Sequence, residues 1–305
     1  MRLLLGRLMK GKWNLQKCIQ MKYSNIMKKL VFFAALAAMF SFVSCGNADE
    51  LKVMSYNIRL EHMGDGDNAW PNRKEATIEM LETIKPDVFG VQEALPQQVA
   101  YVSEQAPLYK NVGVGRDDGV AKGEFMSIFW NTEVIEMIEW GTYWLSETPD
   151  EPSFGWDAAC RRTATWALMK DKRNGRKFYF VNTHLDHRGV LARKNGLQLL
   201  VDNIAAMNSE GYPMVLTGDF NVLPDDECLV DLDKQMQSAR KIAKVTDNLS
   251  TFNGWGDKKP EDEYVIDYIY VSGFKSVPEY RTNMQQYAEK PYISDHYPIV
   301  SVLEY

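Results

Sequence analysis

The sequence predicts an α/β (α+β) protein in which two mostly antiparallel sheets pack face to face with helices outside. Three observations carry this. Short apolar or alternating runs recur along residues 51–305, separated by turn clusters, and only a few stretches space their apolar residues as a helix does. Strand runs interleaved with few helices bury one face of each sheet most simply against the other. No internal repeat, low-complexity tract or Pro/Ser-rich linker interrupts residues 45–305, which points to one domain.

Residues 1–44 are of another kind. They hold eight Lys or Arg and no Asp or Glu, and end in Met27-Lys28-Lys29 followed by an apolar run from Leu30 to Val43 broken only by Ser41. A basic start, an apolar core of this length and small residues before Cys45 make an export signal of bacterial type, not a spanning helix. Met27 would itself begin a well-formed signal, which leaves residues 1–26 open to reading as an over-called start. Phe42-Val43-Ser44-Cys45-Gly46 is similar to a lipobox, with Phe42 where Leu is more usual. The favoured expectation is a lipid on Cys45, the only membrane attachment expected, at the cell envelope; an ordinary cleaved signal is the alternative.

Eight of the 35 basic residues and none of the 41 acidic ones lie in that leader, so residues 45–305 carry 27 basic against 41 acidic side chains, a formal charge of −14. Non-specific nucleic-acid binding rests on basic surface meeting phosphates. The balance argues instead for a small anionic substrate held locally. Cys160 and Cys228 are equally compatible with a disulfide and with two free thiols.

Taken in order, Leu51 to Ile58 alternates as a strand. Gly64 to Asn68 is loop-like, and a helix follows Pro71 through Ile78, Leu81 and Ile84, stopped before Pro86. Asp87 to Val91 is a short buried strand delivering Gln92-Glu93, and a second helix runs from Pro96 to about Gln105. Strands are expected at Tyr109–Gly115, Phe125–Trp130, Val134–Ile138, Arg162–Met169 and Lys177–His184, with Arg173-Asn174-Gly175 turning a hairpin. A helix over Gly189–Met207 presents Leu197, Leu200, Val201 and Ile204 on one face. Pro213–Thr217 is a strand running into Gly218-Asp219-Phe220-Asn221, and Asp225–Leu232 a short helix. Gly254–Glu263 is a charged loop. Tyr264–Val271 reads as a strand with Asp267 at its centre and Ser276–Thr282 as its partner, and a final short strand follows Pro298. Trp70–Arg73 and Phe154–Asp157 read as aromatic rim loops.

Polar residues able to hold metal or phosphate recur where these strands end: Asn57, Glu93, His184, Asp219 and Asn221, then Asp295-His296 before the last strand. Singly each has a plain structural explanation, as a turn residue or a solvated helix start. Asp267 is harder to dismiss, because a carboxylate between Ile266 and Ile269 is costly unless paired, and a histidine is its natural partner.

Six stretches together, Ser55-Tyr56-Asn57-Ile58-Arg59, Val91-Gln92-Glu93, Asn182-Thr183-His184, Gly218-Asp219-Phe220-Asn221, Ile266-Asp267-Tyr268-Ile269 and Ser294-Asp295-His296-Tyr297-Pro298, resemble the endonuclease/exonuclease/phosphatase superfamily, in the family's order and across residues 51–305. The resemblance implies a four-layered α/β/β/α sandwich of the deoxyribonuclease-I type and divalent-metal-dependent cleavage of phosphoesters.

By the same resemblance Glu93, with Asn57 and Asp295, would hold Mg²⁺ or Mn²⁺, the oxygen-rich set suiting a hard cation. His296 would act on the water or polarise the phosphate, with Asp267 fixing its tautomer. Asp219 and Asn221 would position water and bind phosphate, and His184 would donate to a phosphate oxygen or the leaving group. Arg162 matches a phosphate-directed position, with Arg161 an equal candidate.

The expected activity is hydrolysis of small phosphate esters, a sugar phosphate or small phosphodiester, by a monomer. An exported nuclease and a catalytically dead binding protein on the same scaffold are the alternatives. A phospholipid head-group hydrolase is also compatible, although no long apolar hairpin stands out for insertion into a bilayer.

Overall fold

The structure, a computed structural model, describes residues 48–305; the expected export signal over residues 1–44 and the lipid on Cys45 lie outside the described residues. In chain order the strands are β1 (Glu50–Asn57), β2 (Val88–Gln92), β3 (Tyr109–Val112), β4 (Ile128–Asn131), β5 (Ile135–Trp144), β6 (Thr163–Asp171), β7 (Lys177–His184), β8 (Met214–Asp219), β9 (Gln237–Ser238), β10 (Asp267–Ser272), β11 (Ser276–Thr282) and β12 (Ile299–Glu304). They form two six-stranded sheets, β11-β12-β1-β2-β4-β3 and β5-β6-β7-β8-β10-β9. Each sheet is antiparallel except for one central parallel pair, β1 with β2 and β7 with β8.

Both parallel pairs are joined by a helix. α1 (Trp70–Ile84) links β1 to β2 and buries Ala76, Thr77, Met80 and Leu81; Pro71 sits in its first turn, where a missing N–H is harmless, and Lys85 closes it in the left-handed conformation before Pro86. α2 (Pro96–Gln105) follows β2. α3 (Val190–Met207) links β7 to β8 and lays Leu197, Leu200, Val201 and Ile204 against Val181 and Leu216, as their spacing requires. Met80, Leu81 and Val102 cover the outside of the other sheet at Tyr56, Phe89 and Phe129. Val53, Val88, Ile128, Phe178, Phe180, Val215, Ile269 and Leu303 fill the space between the sheets. Each such side chain contributes about 1.5–3 kcal/mol on burial. Four layers result, and Asp49–Tyr305 forms one compact unit. Among the described residues no helix is long and apolar enough to cross a membrane.

Beneath the ends of β2, β7 and β8 the sheets are stitched together by polar groups. Asn182 donates to the carbonyls of Val91 (2.8 Å) and Ser127 (3.2 Å) across the gap, and accepts from Gln92 (2.7 Å) and Thr217 (3.0 Å). Gly90 makes this approach possible, since a Cβ there would lie 2.4 Å from Asn182 Oδ1 and 2.5 Å from Thr217 Oγ1.

The structure corrects several expectations. Asp267 opens β10 instead of standing mid-strand, because Thr251 Oγ1 takes the N–H groups of Ile266 (3.0 Å) and Asp267 (3.1 Å) and pulls the preceding residues off the ladder. Ser276–Thr282 pairs with β12 in the other sheet, after the chain turns through the left-handed Gly273 against Pro213. Trp70–Arg73 is no rim loop but the first turn of α1. Its Arg73 is fully buried, donating to the carbonyls of Ile58, Arg59, Asn68 and Ile293. β3 and β4 are shorter than expected and β5 longer, and residues 254–263 contain two short 3₁₀ turns. Cys160 and Cys228 are free.

Candidate active site

Strand direction gathers the polar ends. β1 and β2 run parallel and finish together at Asn57 and Gln92, so Glu93 lies beside Asn57. β12 is antiparallel to β1, which returns the loop carrying Asp295 and His296 to the same edge. In the second sheet His184 is in register with Asp219, and Asp219 with Asp267 on the antiparallel β10. Two of the turns that finish the job are strained: Arg59 and Glu93 take positive φ (56° and 63°), a region unfavourable to such side chains and concentrated at functional sites, while Asn221 (53°) is of a type that adopts it readily.

The first group centres on His296. Its Nδ1 lies 2.8 Å from Asp267 Oδ2 and its Nε2 lies 3.7 Å from Asp219 Oδ2, the ring being almost fully buried. Burial opposes charge on the ring; Asp267 and Asp219 outweigh it and hold the imidazole well above its ordinary pKa. Burial, with Asp267 close by, pushes the Asp219 carboxyl up to about 7. Phe252 packs edge-on to the imidazole at 5.0 Å. Ser294 holds the loop, donating to Asn57 O (2.7 Å) and accepting from His296 N (3.2 Å), while Asn253 and Gly254 donate to Asp295 O.

The second group faces it across Asp219. Asn221 donates through Nδ2 to Leu185 O (3.1 Å), which fixes the amide's orientation; the same nitrogen lies 3.0 Å from His184 Nε2, which also stands 3.5 Å from Asp219 Oδ2. His184 Nδ1 is buried and has no acceptor among the described residues. Burial, and after it Arg162 and Arg116, drive the His184 pKa well below its usual value, so the ring is neutral. Arg162 is buried too: Nε is 3.5 Å from Asp186, Nη2 is 3.1 Å from His187 Nδ1, and Nη1 lacks an acceptor among the described residues. Arg161 instead points away to Asp117 and the face of Phe154, which distinguishes the two arginines.

Carboxylates crowd between these groups. One ligand atom each from Glu93, Asp219 and His296 lie within 4.8 Å of one another. Asn57 Nδ2 donates to both Glu93 Oε1 and Asp219 Oδ2 at 3.0 Å. Asp295 stands slightly apart and meets Glu93 through Arg59, whose guanidinium is 3.8 Å from Asp295 and 3.9 Å from Glu93. Burial raises the Asp295 pKa, and Glu93 adds to it. Crowded carboxylates fit a hard cation, which would relieve their repulsion; Asn57 meets them with its amide nitrogen while its Oδ1 accepts from Arg59 N (2.9 Å), so it positions Glu93 and Asp219 and leaves ligation to the carboxylates. Cys160, Asp186 and His187 also bring ligand atoms together. There, however, Asp186 is spent on the N–H groups of Ala159, Cys160, Arg188 and Gly189 and on Arg162, so it serves the loop and not a metal.

Nine of the ten residues singled out in the sequence therefore converge on one edge of the sandwich, Arg161 being the exception. Arg59, Ser294, Asp186, Arg116 and Glu124 join them without having been assigned a part. Arg59 and Ser294 lie inside the quoted stretches, a usable signal; Arg116 and Glu124 sit in glycine-punctuated sequence that reads only as a turn.

A model of the Endonuclease/Exonuclease/phosphatase family matches residues 54–296. The structure is similar to the crystal structure of an endonuclease/exonuclease/phosphatase from Bacteroides vulgatus, at 35% identity and a TM-score of 0.78, covering 84% of this chain and 98% of that one. It is likewise similar to a mannosyl-6-phosphatase of Bacteroides thetaiotaomicron, at 32% identity and a TM-score of 0.79, covering 84% and 100%. An uncharacterised protein of Acanthamoeba polyphaga mimivirus is 29% identical over 254 residues, 77% of this chain and 92% of that protein.

Proposed function

The chain belongs to the endonuclease/exonuclease/phosphatase family of hydrolases, and from that membership we propose that it is a divalent-metal-dependent phosphatase of small phosphate monoesters, a sugar phosphate foremost. The observation that carries the reading is the cluster in which Glu93, Asp219 and His296 bring ligand atoms within 4.8 Å of one another, with His296 held charged by Asp267 and Asp219 and with His184 Nε2 3.5 Å from Asp219. A cation site beside a charged ring is what a phosphoryl group requires as charge develops on its oxygens. The name of the Bacteroides thetaiotaomicron relative, and the charge of −14 outside the leader, favour a small ester over a polynucleotide.

In this mechanism Arg162 and His184 each donate to a non-bridging oxygen. His296, its Nδ1 proton fixed on Asp267, donates from Nε2 to the phosphate. Asp219, aligned by Asn57 and by the backbone N–H of Asn221 (3.0 Å), orients the attacking water and takes its proton. Glu93 and Asp295 would hold Mg²⁺ or Mn²⁺, with Asn57 supporting Glu93 through its amide N–H, and the ion would supply charge neutralisation at the phosphoryl oxygens. Excluded from bulk water by Phe252 on one side, these contacts act at low dielectric.

A turnover panel tests the proposal: mannose 6-phosphate, bis-p-nitrophenyl phosphate, single-stranded DNA and RNA, each with chelator, Mg²⁺ or Mn²⁺, at low and high salt. Metal-dependent, salt-insensitive release of phosphate from the sugar ester is expected. Strongly salt-dependent cleavage of DNA or RNA would replace this reading with the nuclease, and turnover of nothing in the panel would restore the binding-protein alternative. We propose further that residues 1–44 direct export and that Cys45 is lipidated. Mass spectrometry finding an unmodified mature N-terminus at any other residue would refute the lipid.

A further inference from the structure

Resting on the monoester reading above, we propose that Asp117–Arg161 and Arg116–Glu124, with Phe154, form a shelf beside the phosphate site that selects a polyhydroxylated alcohol group, a sugar, on the substrate. The shelf is built on a ribbon of residues 115–125. Phe125 N donates to Ala94 O (2.7 Å), one residue beyond Glu93, so the ribbon is anchored at the site. Arg116 N to Glu124 O and Asp117 N to Lys122 O, both 3.0 Å, close it, and Asp118 Oδ1 takes the N–H groups of Val120, Ala121 and Lys122. Gly123, at φ +84°, leaves room for Asp117: a Cβ there would lie 2.5 Å from Asp117 Oδ2.

On this frame Arg116 Nη1 meets Glu124 Oε2 at 2.6 Å, and Asp117 Oδ1 meets Arg161 Nη1 at 3.6 Å, so the ribbon is tied to the residue next to Arg162. The Arg161 guanidinium lies 4.6 Å over the Phe154 ring, which is itself 52% exposed. Arg116 Nε and Arg161 Nε are buried N–H groups without acceptors among the described residues.

The chemistry of the ligand is set by the pairing. Each arginine is already matched by a carboxylate, so the shelf offers little net positive charge to a second phosphate or to a polynucleotide backbone. It does offer donors and acceptors side by side, which a hydroxyl satisfies as both acceptor and donor, and an exposed aromatic face for C–H groups of a pyranose ring. A plain alkyl or aryl alcohol would leave the donors unpaired, and such mismatches discriminate strongly.

The test uses the full protein with Mg²⁺ and compares wild type with Arg161→Gln and Phe154→Ala, the second at an exposed position where folding is safe. The readout is the ratio of kcat/KM for mannose 6-phosphate to that for p-nitrophenyl phosphate. We expect the ratio to fall at least fivefold in both variants. A smaller fall in either, or wild-type preference for a sugar bisphosphate over the monophosphate, overturns the shelf. Calorimetry separates this from the parent reading: should wild type hydrolyse neither ester, tighter binding of mannose 6-phosphate than of inorganic phosphate, erased in Arg161→Gln, still supports the shelf, and equal affinities refute it.

Discussion

His296 Nδ1 lies 2.8 Å from Asp267 Oδ2, and both side chains are almost fully buried. The pair is made from two sheets, His296 preceding a strand of one and Asp267 opening a strand of the other. Asp267→Asn keeps the shape but removes the carboxylate that does most to hold the ring charged, and His296→Ala removes the ring. Both variants should lower kcat by roughly 10³- to 10⁴-fold while far-ultraviolet circular dichroism stays native. Turnover within tenfold of wild type in either variant would contradict the assignment.

A cation bound among Glu93, Asp295 and Asn57 should stabilise the fold independently of any turnover. At a hundred times its dissociation constant a ligand adds about 2.7 kcal/mol, which in a chain of this size moves Tm by roughly 5–10 °C. Wild type should show that rise with Mg²⁺ or Mn²⁺ and Glu93→Gln should not. An identical rise in both would place the ion elsewhere.

Asp186 sets a pH dependence away from the proposed cation site. Burial would raise its pKa, but N–H groups of Gly189, Arg188 and Ala159, together with Arg162, outweigh it and hold the carboxyl at about 2. The folded value lies below the unfolded value of about 3.9, so the contribution is present above pH 4 and is lost as pH falls through about 2. Asp186→Asn should be less stable by about 1–2 kcal/mol at neutral pH, the gap closing towards pH 2. Denaturant melts at pH 7, 4 and 2.5 measure it, and a gap that widens on acidification would refute the account.

Gly90 is the cheapest place to disturb the whole pocket without touching it. Gly90→Ala drives a methyl into Asn182 and Thr217, costing about 1–3 kcal/mol as overpacking and shifting β2, hence Glu93. Thermal melts and kcat should fall together; a variant as stable as wild type would show that the sheets give way more readily than the distances imply.

How far the sequence reaches can be judged residue by residue. The sequence places β1, β7, α2 and α3 nearly to the residue: β7 is a continuous apolar run buried on both faces, α3 repeats its apolar residues at helical spacing, and Pro96 marks the start of α2. It misjudges the partner of Ser276–Thr282, since alternation says that a strand exists and nothing about which edge receives it. Asp267 reads as central to its strand because Val265 and Ile266 are as apolar as Ile269 and Val271 beyond it; only the distant Thr251 hydroxyl ends the ladder there. The polar strand ends are legible as a set. The support around them is not: Asp186 reaches Ala159, Cys160 and Arg162 on another loop, Arg116 and Glu124 meet only once the ribbon between them has folded back, and Arg59 bridges Glu93 and Asp295 only once the loops have closed.

The division of labour across the sandwich has one more implication. Asn57, Glu93, Asp295 and His296 ride on one sheet; His184, Asp219, Asn221 and Asp267 ride on the other. Sliding either layer by a single residue, about 3.3 Å, would pull apart partners that now sit 3.0 to 3.7 Å from each other. Half a sandwich would be chemically mute, and the Asn182 stitch between the layers acts as the alignment pin of the reaction centre as much as a tie in the core.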